Sequence, residues 1–259
     1  MIFRAAALTV SLLGISAALL WGGARAASGG QPVLVELFTS QGCSDCPPAD
    51  QILSDLAGRS DVIALSFPIT YWDMLGWRDT LASVSNTDRQ KAYADAMRRP
   101  ATYTPQIIVG GVDDVVGNKR ERVFNAVAGH VAGRGSRVDP EAVSLVLSYD
   151  AGELVVRISG TVPSDLSPDR PADLWVMRIL SHAEVTVRGG ENRDRHLVYT
   201  NIVRDITSAG SWSGGEATFS VPVALAQGEH DGIAVVLQHE GHGPVLAAGL
   251  INLPTAATR

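Results

Sequence analysis

The chain has 259 residues, of which 46% are hydrophobic and 19% charged, and carries a formal net charge of -6. That acidic balance argues against nucleic acid or an anionic membrane surface as partner, because both recruit basic patches. The length suits two modest domains, and no internal repeat or low-complexity segment subdivides it.

Residues 1–26 have the features of a signal peptide. Arg4 precedes an apolar stretch over 5–21, and Ala24-Arg25-Ala26 fits a small-x-small cleavage site. An uncleaved anchor is the competing reading, and the Gly22-Gly23 break argues against it. Export to a bacterial periplasm, or secretion, is the expectation. Once the leader is removed, no stable membrane insertion is expected, and loss of Arg4 and Arg25 makes the chain more acidic still.

Residues 33–38 form an apolar run that reads as a strand. It leads into Cys43-Ser44-Asp45-Cys46, the two cysteines of the chain, and then into a helix over 47–57. Pro47 and Pro48 occupy a first turn, where missing N–H groups cost little, and Ile52, Leu53 and Leu56 recur at helical spacing before Gly58. A helix N-terminus offers unpaired N–H groups and a partial positive charge, which favour the thiolate that attacks disulfides. Cys43, at the cap and facing solvent, is the expected nucleophile. Cys46, one turn in, is the resolving thiol. Half of a zinc site and a static disulfide remain alternatives, although no histidine precedes His130 to complete a zinc site.

Residues 62–69 form a second apolar strand, completing a βαβ unit and a parallel pair. Tyr71, Trp72 and Trp77 follow it, either as an apolar shelf for an unfolded chain beside the dithiol or as core packing, and Asp73 either tunes Cys43 or caps the next turn. Thr87-x-x-Gln90 reads as a capping box opening a helix through Met97. Strands at 107–109 and 112–116 flank Gly110-Gly111, a hairpin signal, and Asn118-x-x-Glu121 opens a last helix. The glycine-rich segment 129–140 marks the boundary.

The order βαβαββα with CxxC after the first strand resembles the thioredoxin fold. More narrowly, the run from Glu36 through Cys43-Ser-Asp-Cys46 to Asp50, with Tyr71-Trp-Asp-Met-Leu-Gly-Trp77, Arg89-Gln90, Tyr103-Thr-Pro-Gln106 and Gly190-Glu-Asn192, resembles an uncharacterised family of secreted bacterial proteins. That family is a domain of unknown function in the thioredoxin-like superfamily. The resemblance implies a cis-proline at Thr104-Pro105 that docks the substrate backbone with Tyr103, Trp72 and Trp77 nearby. It also implies a proton-handling acid at Glu36, with an ordinary strand-initiating proline and a solvent-facing glutamate as the competing readings. It implies no substrate. The chain departs from the family at Asp45, often Ser, and at Pro68-Ile69-Thr70, where His-Val-Asp is usual. Asp45 opposes thiolate formation, so a reducing or isomerase-like poise is expected rather than that of a strong oxidant.

Downstream of the boundary, strand-like runs lie at 143–149, 154–159, 173–180, 184–188, 196–206, 217–223 and 232–238, separated by Gly, Asp, Ser and Pro turns. Gly189-Gly190-Glu191-Asn192 reads as a turn between strands that the family match allows to meet the first half. His239-Glu240-Gly241-His242, with His230, carries metal-ligand residue types, but a glycine-flanked loop fits better. No metal or cofactor is expected.

The expected fold class is an α/β thioredoxin-like N-terminal domain over 31–132, followed by an all-β antiparallel sandwich-like C-terminal domain over 138–256. The expected function is an exported thiol-disulfide oxidoreductase acting on periplasmic protein disulfides, with Cys43, Cys46 and Glu36 catalytic and a membrane or soluble reductant resetting the pair. A non-catalytic binding protein with a structural disulfide, and a Cu(I)-binding thiol protein, are the alternatives.

Overall fold

In the computed structural model, residues 31–133, 142–150, 152–161, 170–223 and 230–253 are described. The signal-peptide reading of residues 1–26 and most of the 129–140 boundary lie outside them. Strand β1 (Val33–Thr39) leads to α1 (Pro47–Ala57) and β2 (Val62–Pro68), and a 3-10 turn over Asp73–Leu75 precedes α2 (Val84–Ala96). Next come β3 (Gln106–Val109), β4 (Asp113–Val116) and α3 (Arg120–Val131).

The remaining elements are strands. These are β5 (Val143–Asp150), β6 (Glu153–Gly160), β7 (Ala172–Thr186), β8 (His196–Trp212), β9 (Ala217–Pro222), β10 (Gly232–His239) and β11 (Val245–Asn252).

The expected fold class is not what the chain adopts. The described residues are mostly β, and they carry three α-helices around one large mixed sheet of eight strands in the order β11-β10-β7-β8-β2-β1-β3-β4. No α/β domain ends where an all-β domain begins, because the sheet runs through both halves. The reason lies at β2, whose seven residues are all buried. A strand buried along its whole length belongs inside a sheet. The neighbour that covers its free edge is β8, which runs parallel to it with Ser66 opposite Ile202.

Side chains reinforce this junction. Asn86 of α2 donates from Nδ2 to the carbonyls of Pro68 and Val203, both at 3.1 Å, and Asn201 donates to Ala64 O at 3.0 Å. Strands β5, β6 and β9 form a separate three-stranded antiparallel sheet. Its buried Leu145, Leu154, Val156 and Ile158 share a core cluster with Leu174, Val176, Val235 and Leu237 of the large sheet.

Local signals shift in smaller ways. The runs expected at 173–180 and 184–188 fuse into β7, which pairs antiparallel with the 17-residue β8. Helix α2 starts one turn earlier than the Thr87 box implies, because the Ser83 hydroxyl already accepts the Asn86 N–H. Gly110 and Gly111 both have positive φ, 59° and 76°, as a tight β3–β4 turn requires.

Strand β1 has a different neighbour on each face. Val35 and Leu37 pack with Ala49, Ile52 and Leu53 of α1, whereas Leu34 and Phe38 pack with Tyr93 of α2.

Candidate site around the Cys43–Cys46 disulfide

Strand β1 ends at Thr39, and the chain turns sharply so that Cys43 N–H donates to Ser40 O at 3.2 Å. Cys46 stands at the N-cap of α1, and its carbonyl accepts the N–H groups of Ala49 and Asp50 at 2.8 and 3.0 Å. Its side chain makes no cap hydrogen bond. Instead Cys43 and Cys46 form a disulfide, with 5.4 Å between their Cα atoms.

Ser44 and Asp45 are exposed, but Cys43 is 1% exposed and Cys46 fully buried. The expectation that Cys43 faces solvent is therefore corrected. The cover comes from the turn between β7 and β8. Asn192, itself fully buried, donates from Nδ2 to Gln41 O at 3.0 Å and to Cys43 O at 2.7 Å. Glu191 Oε2 accepts the Ser44 N–H at 3.1 Å.

The aromatic residues beyond β2 brace the same loop. Trp72 lies against Gly42, where an added Cβ would sit 3.2 Å from Trp72 Cβ, and its Nε1 donates to Thr104 Oγ1 at 2.8 Å. The Thr104–Pro105 peptide bond is cis, and Pro105 approaches Gly117 beside Ala49 and Leu37. Thus Trp72, Thr104, Pro105 and the dithiol loop come together. Trp77 donates from Nε1 to Gln41 Oε1 at 2.8 Å, bracing the segment before Cys43. Tyr103 points elsewhere, its hydroxyl bonded to Asp114 on β4. Asp73 Oδ1 accepts the Asp79 N–H at 3.0 Å and so holds the following turn.

Glu36 is fully buried on the α2 side of β1. Its carboxylate is held by Arg89 Nε at 2.6 Å and by the Tyr93 hydroxyl. Gln238 completes this network through Arg89 and Tyr93. The sheet therefore lies between Glu36 and the face that α1 covers.

On the α1 side stands a carboxyl that sequence reading missed. Asp50 lies one helical turn after Cys46, on the same helix face. It is 7% exposed, and among the described residues neither of its oxygens completes a hydrogen bond of full geometry, although the Thr39 hydroxyl lies near enough to favour its charged form. Burial pushes the Asp50 carboxyl well above the usual carboxylate range, Thr39 eases that rise, and Asp79 adds to it. Asp79 is pushed up to about 6 by burial, although it accepts N–H groups from Gln41, Leu81 and Ala82. One sequence signal did exist: Asp50 falls on the stripe of Cys46, Leu53 and Leu56 that α1 buries.

The histidine loop does not assemble a metal site. His239 Nδ1 contacts Glu240 O at 3.1 Å, while the His242 ring lies against Tyr93 and Trp175 at 5.4 and 5.8 Å between centroids. Among the described residues, no group of three or more His, Cys, Asp and Glu is arranged to hold a metal ion. No helix among them is long and apolar enough to cross a membrane.

This disulfide loop and its cover lie within the 34–238 span that matches the model of one protein family, a protein of unknown function (DUF1223). The chain belongs to the DUF1223 family. A structure from Agrobacterium tumefaciens, solved by a structural-genomics consortium, is 30% identical to it with a TM-score of 0.74, covering 90% of this chain and 99% of that one. HBP35 of Porphyromonas gingivalis is 16% identical with a TM-score of 0.59, covering 90% of this chain and 79% of that one, a likeness of fold alone. No curated protein matches the chain. Family membership thus brings no assigned activity, and the chemistry must be argued from the site.

Proposed function

We propose that this DUF1223 protein is an exported thiol-disulfide oxidoreductase that reduces or isomerises disulfides in other exported proteins. The observation that carries the reading is the Cys43–Cys46 disulfide at the N-terminus of α1, with the buried Asp50 carboxyl one turn behind it. The sequence resemblance to thioredoxin-like proteins and the leader-like residues 1–26 support the chemistry and the compartment.

In the reduced protein, the Cys43 thiolate attacks one sulfur of a partner disulfide. The partner's S–S bond breaks, its second sulfur leaves as a thiolate and takes a proton from water, and a mixed disulfide to Cys43 forms. Cys46 then attacks Cys43 Sγ, gives its proton to the Asp50 carboxylate, and expels the partner's first sulfur as a thiolate. A dithiol reductant reopens the pair, with Asp50 returning the proton to Cys46. Glu36 is tied to Arg89 on the other side of the sheet, so we assign the proton to Asp50 and to Glu36 a part in holding the core. The Trp72–Thr104 bond positions the Thr104–Pro105 segment to receive the partner's backbone.

The test is a trapping experiment in the compartment to which the chain is exported. Cys46→Ala should accumulate mixed disulfides through Cys43, while the wild type and a Cys43→Ala, Cys46→Ala double variant should not. Asp50→Asn, in the same background as wild type, should slow exchange with a model disulfide about tenfold or more. An absence of trapped species and of exchange would defeat the proposal.

A second reading has one observation in its favour. Cys43 is buried under Asn192, as suits a disulfide that only locks a loop in a binding protein. Such a bond would have a potential below about -300 mV and would not exchange.

A further inference from the structure

We propose that Glu191, supplied by the β7–β8 turn, sets the redox poise of the Cys43–Cys46 pair by holding a negative charge on the Ser44 N–H. This rests on the oxidoreductase reading above and deepens it.

The Ser44 N–H is the backbone donor that immediately follows Cys43. In the loop, Cys43 N–H is already given to Ser40 O and Cys46 N–H to Cys43 O, both at 3.2 Å. Ser44 N–H instead goes to Glu191 Oε2 at 3.1 Å. A Cys43 thiolate would need such a donor, and a disulfide does not. The carboxylate therefore suits the oxidised pair and repels the anion formed on reduction, which stabilises the disulfide. The Ser44 hydroxyl and N–H in turn hold the Glu191 carboxyl below its usual range, so it stays charged at neutral pH.

The turn is built to deliver this charge. Asn192 is fully buried and spends both N–H groups on Gln41 O and Cys43 O. Gly189 passes so near Gly76 that an added Cβ would meet Gly76 O at 2.5 Å. Gly190 has a φ of +68° and lies over Trp77. Within the turn, Val187 N–H bonds Arg195 O at 3.0 Å and Asp194 N–H bonds Val187 O at 2.8 Å. Asp45, also exposed, adds a second negative charge beside the pair.

In the balanced step, a dithiol reagent supplies two electrons and breaks the Sγ–Sγ bond. Cys43 emerges as a thiolate and Cys46 as a thiol, and the reagent becomes a disulfide and releases its other proton to water. Glu191 acts on the Cys43 product alone.

The experiment measures the glutathione equilibrium of the full chain and the Cys43 thiolate pKa, read by absorbance, for wild type and Glu191→Gln. The glutamine keeps an oxygen for Ser44 N–H, so the cover remains and only the charge is lost. The equilibrium constant for reduction should rise about two- to fivefold, or about 10–20 mV at 29.6 mV per tenfold, and the thiolate pKa should fall. Added salt should shrink the difference, because Glu191 is exposed. An unchanged constant and unchanged pKa in a protein whose wild type exchanges would overturn the role and leave the turn as a cover only. A wild type that does not exchange at all would instead overturn the oxidoreductase reading, and this inference with it.

Discussion

At the scale of single residues, the site region is defined by buried acids with different fates. Glu36 is neutralised by Arg89, Asp79 collects three backbone N–H groups, and Asp50 has no completed partner. Asp79 makes a sharp pH prediction. Burial raises its folded pKa to about 6 from an ordinary 3.8, so the folded chain keeps a proton that the unfolded chain loses as pH rises between these values. Stability is therefore lost as pH rises from about 4 to 6, by about 3 kcal/mol at the upper bound. His242 has the opposite sign: burial first, then Arg89, lowers its pKa from 6.5 to about 4, so stability is lost as pH falls through that window. The two slopes offset each other in the wild type. Asp50, also raised by burial, adds to the Asp79 slope and remains in Asp79→Asn, so the test is the difference between proteins: the variant's stability relative to wild type should climb by about 3 kcal/mol between pH 4 and 7 in urea titrations. A difference that stays flat with pH would contradict the assignment. The Cys43–Cys46 pair and its helix were legible in sequence because three-residue spacing and Pro47-Pro48 are local signals. The state of Glu36 was not, since its partner Arg89 lies 53 residues away.

At the scale of elements, the joint between β2 and β8 decides the architecture. One paired position, Ser66 with Ile202, brings the two strands together, and Asn86 crosses the joint to reach a carbonyl on either side. Asn86→Ala leaves both carbonyls without that donor in a buried setting. The expected cost is about 2–3 kcal/mol in urea unfolding. A loss below about 0.5 kcal/mol would show that the joint does not depend on this side chain. Strand periodicity located most elements of the second half, because alternation is a local property. It could not reveal that β8 is the neighbour of β2, since residues 66 and 202 carry no mark of their pairing. The expectation of separate α/β and all-β domains failed for that reason: each half supplies strands with the right pattern, and the pattern does not say where a sheet stops.

At the scale of the whole molecule, the shared sheet lets the second half reach back over the disulfide. Strands β7 and β8 carry the Glu191–Asn192 turn to the start of α1, so a site encoded in residues 36–50 is covered by residues about 150 positions later. This long reach explains why local pattern showed only a turn at Gly189-Gly190-Glu191-Asn192: the family resemblance allowed it to meet the first half, but no residue signal named Ser44 and Cys43 as its partners. Under the proposed function it also sets the expected poise: Glu191 and Asp45 would oppose the thiolate that the helix terminus favours, while Asp50 would keep a proton at hand for Cys46. A redox titration of the Cys43–Cys46 pair in the full chain against glutathione or dithiothreitol distinguishes a catalytic from a structural disulfide. Reversible exchange with a midpoint between about -180 and -270 mV is expected. A pair that resists reduction below about -300 mV would make the disulfide a structural staple, and a midpoint near -120 mV would contradict the poise assigned to its carboxylates.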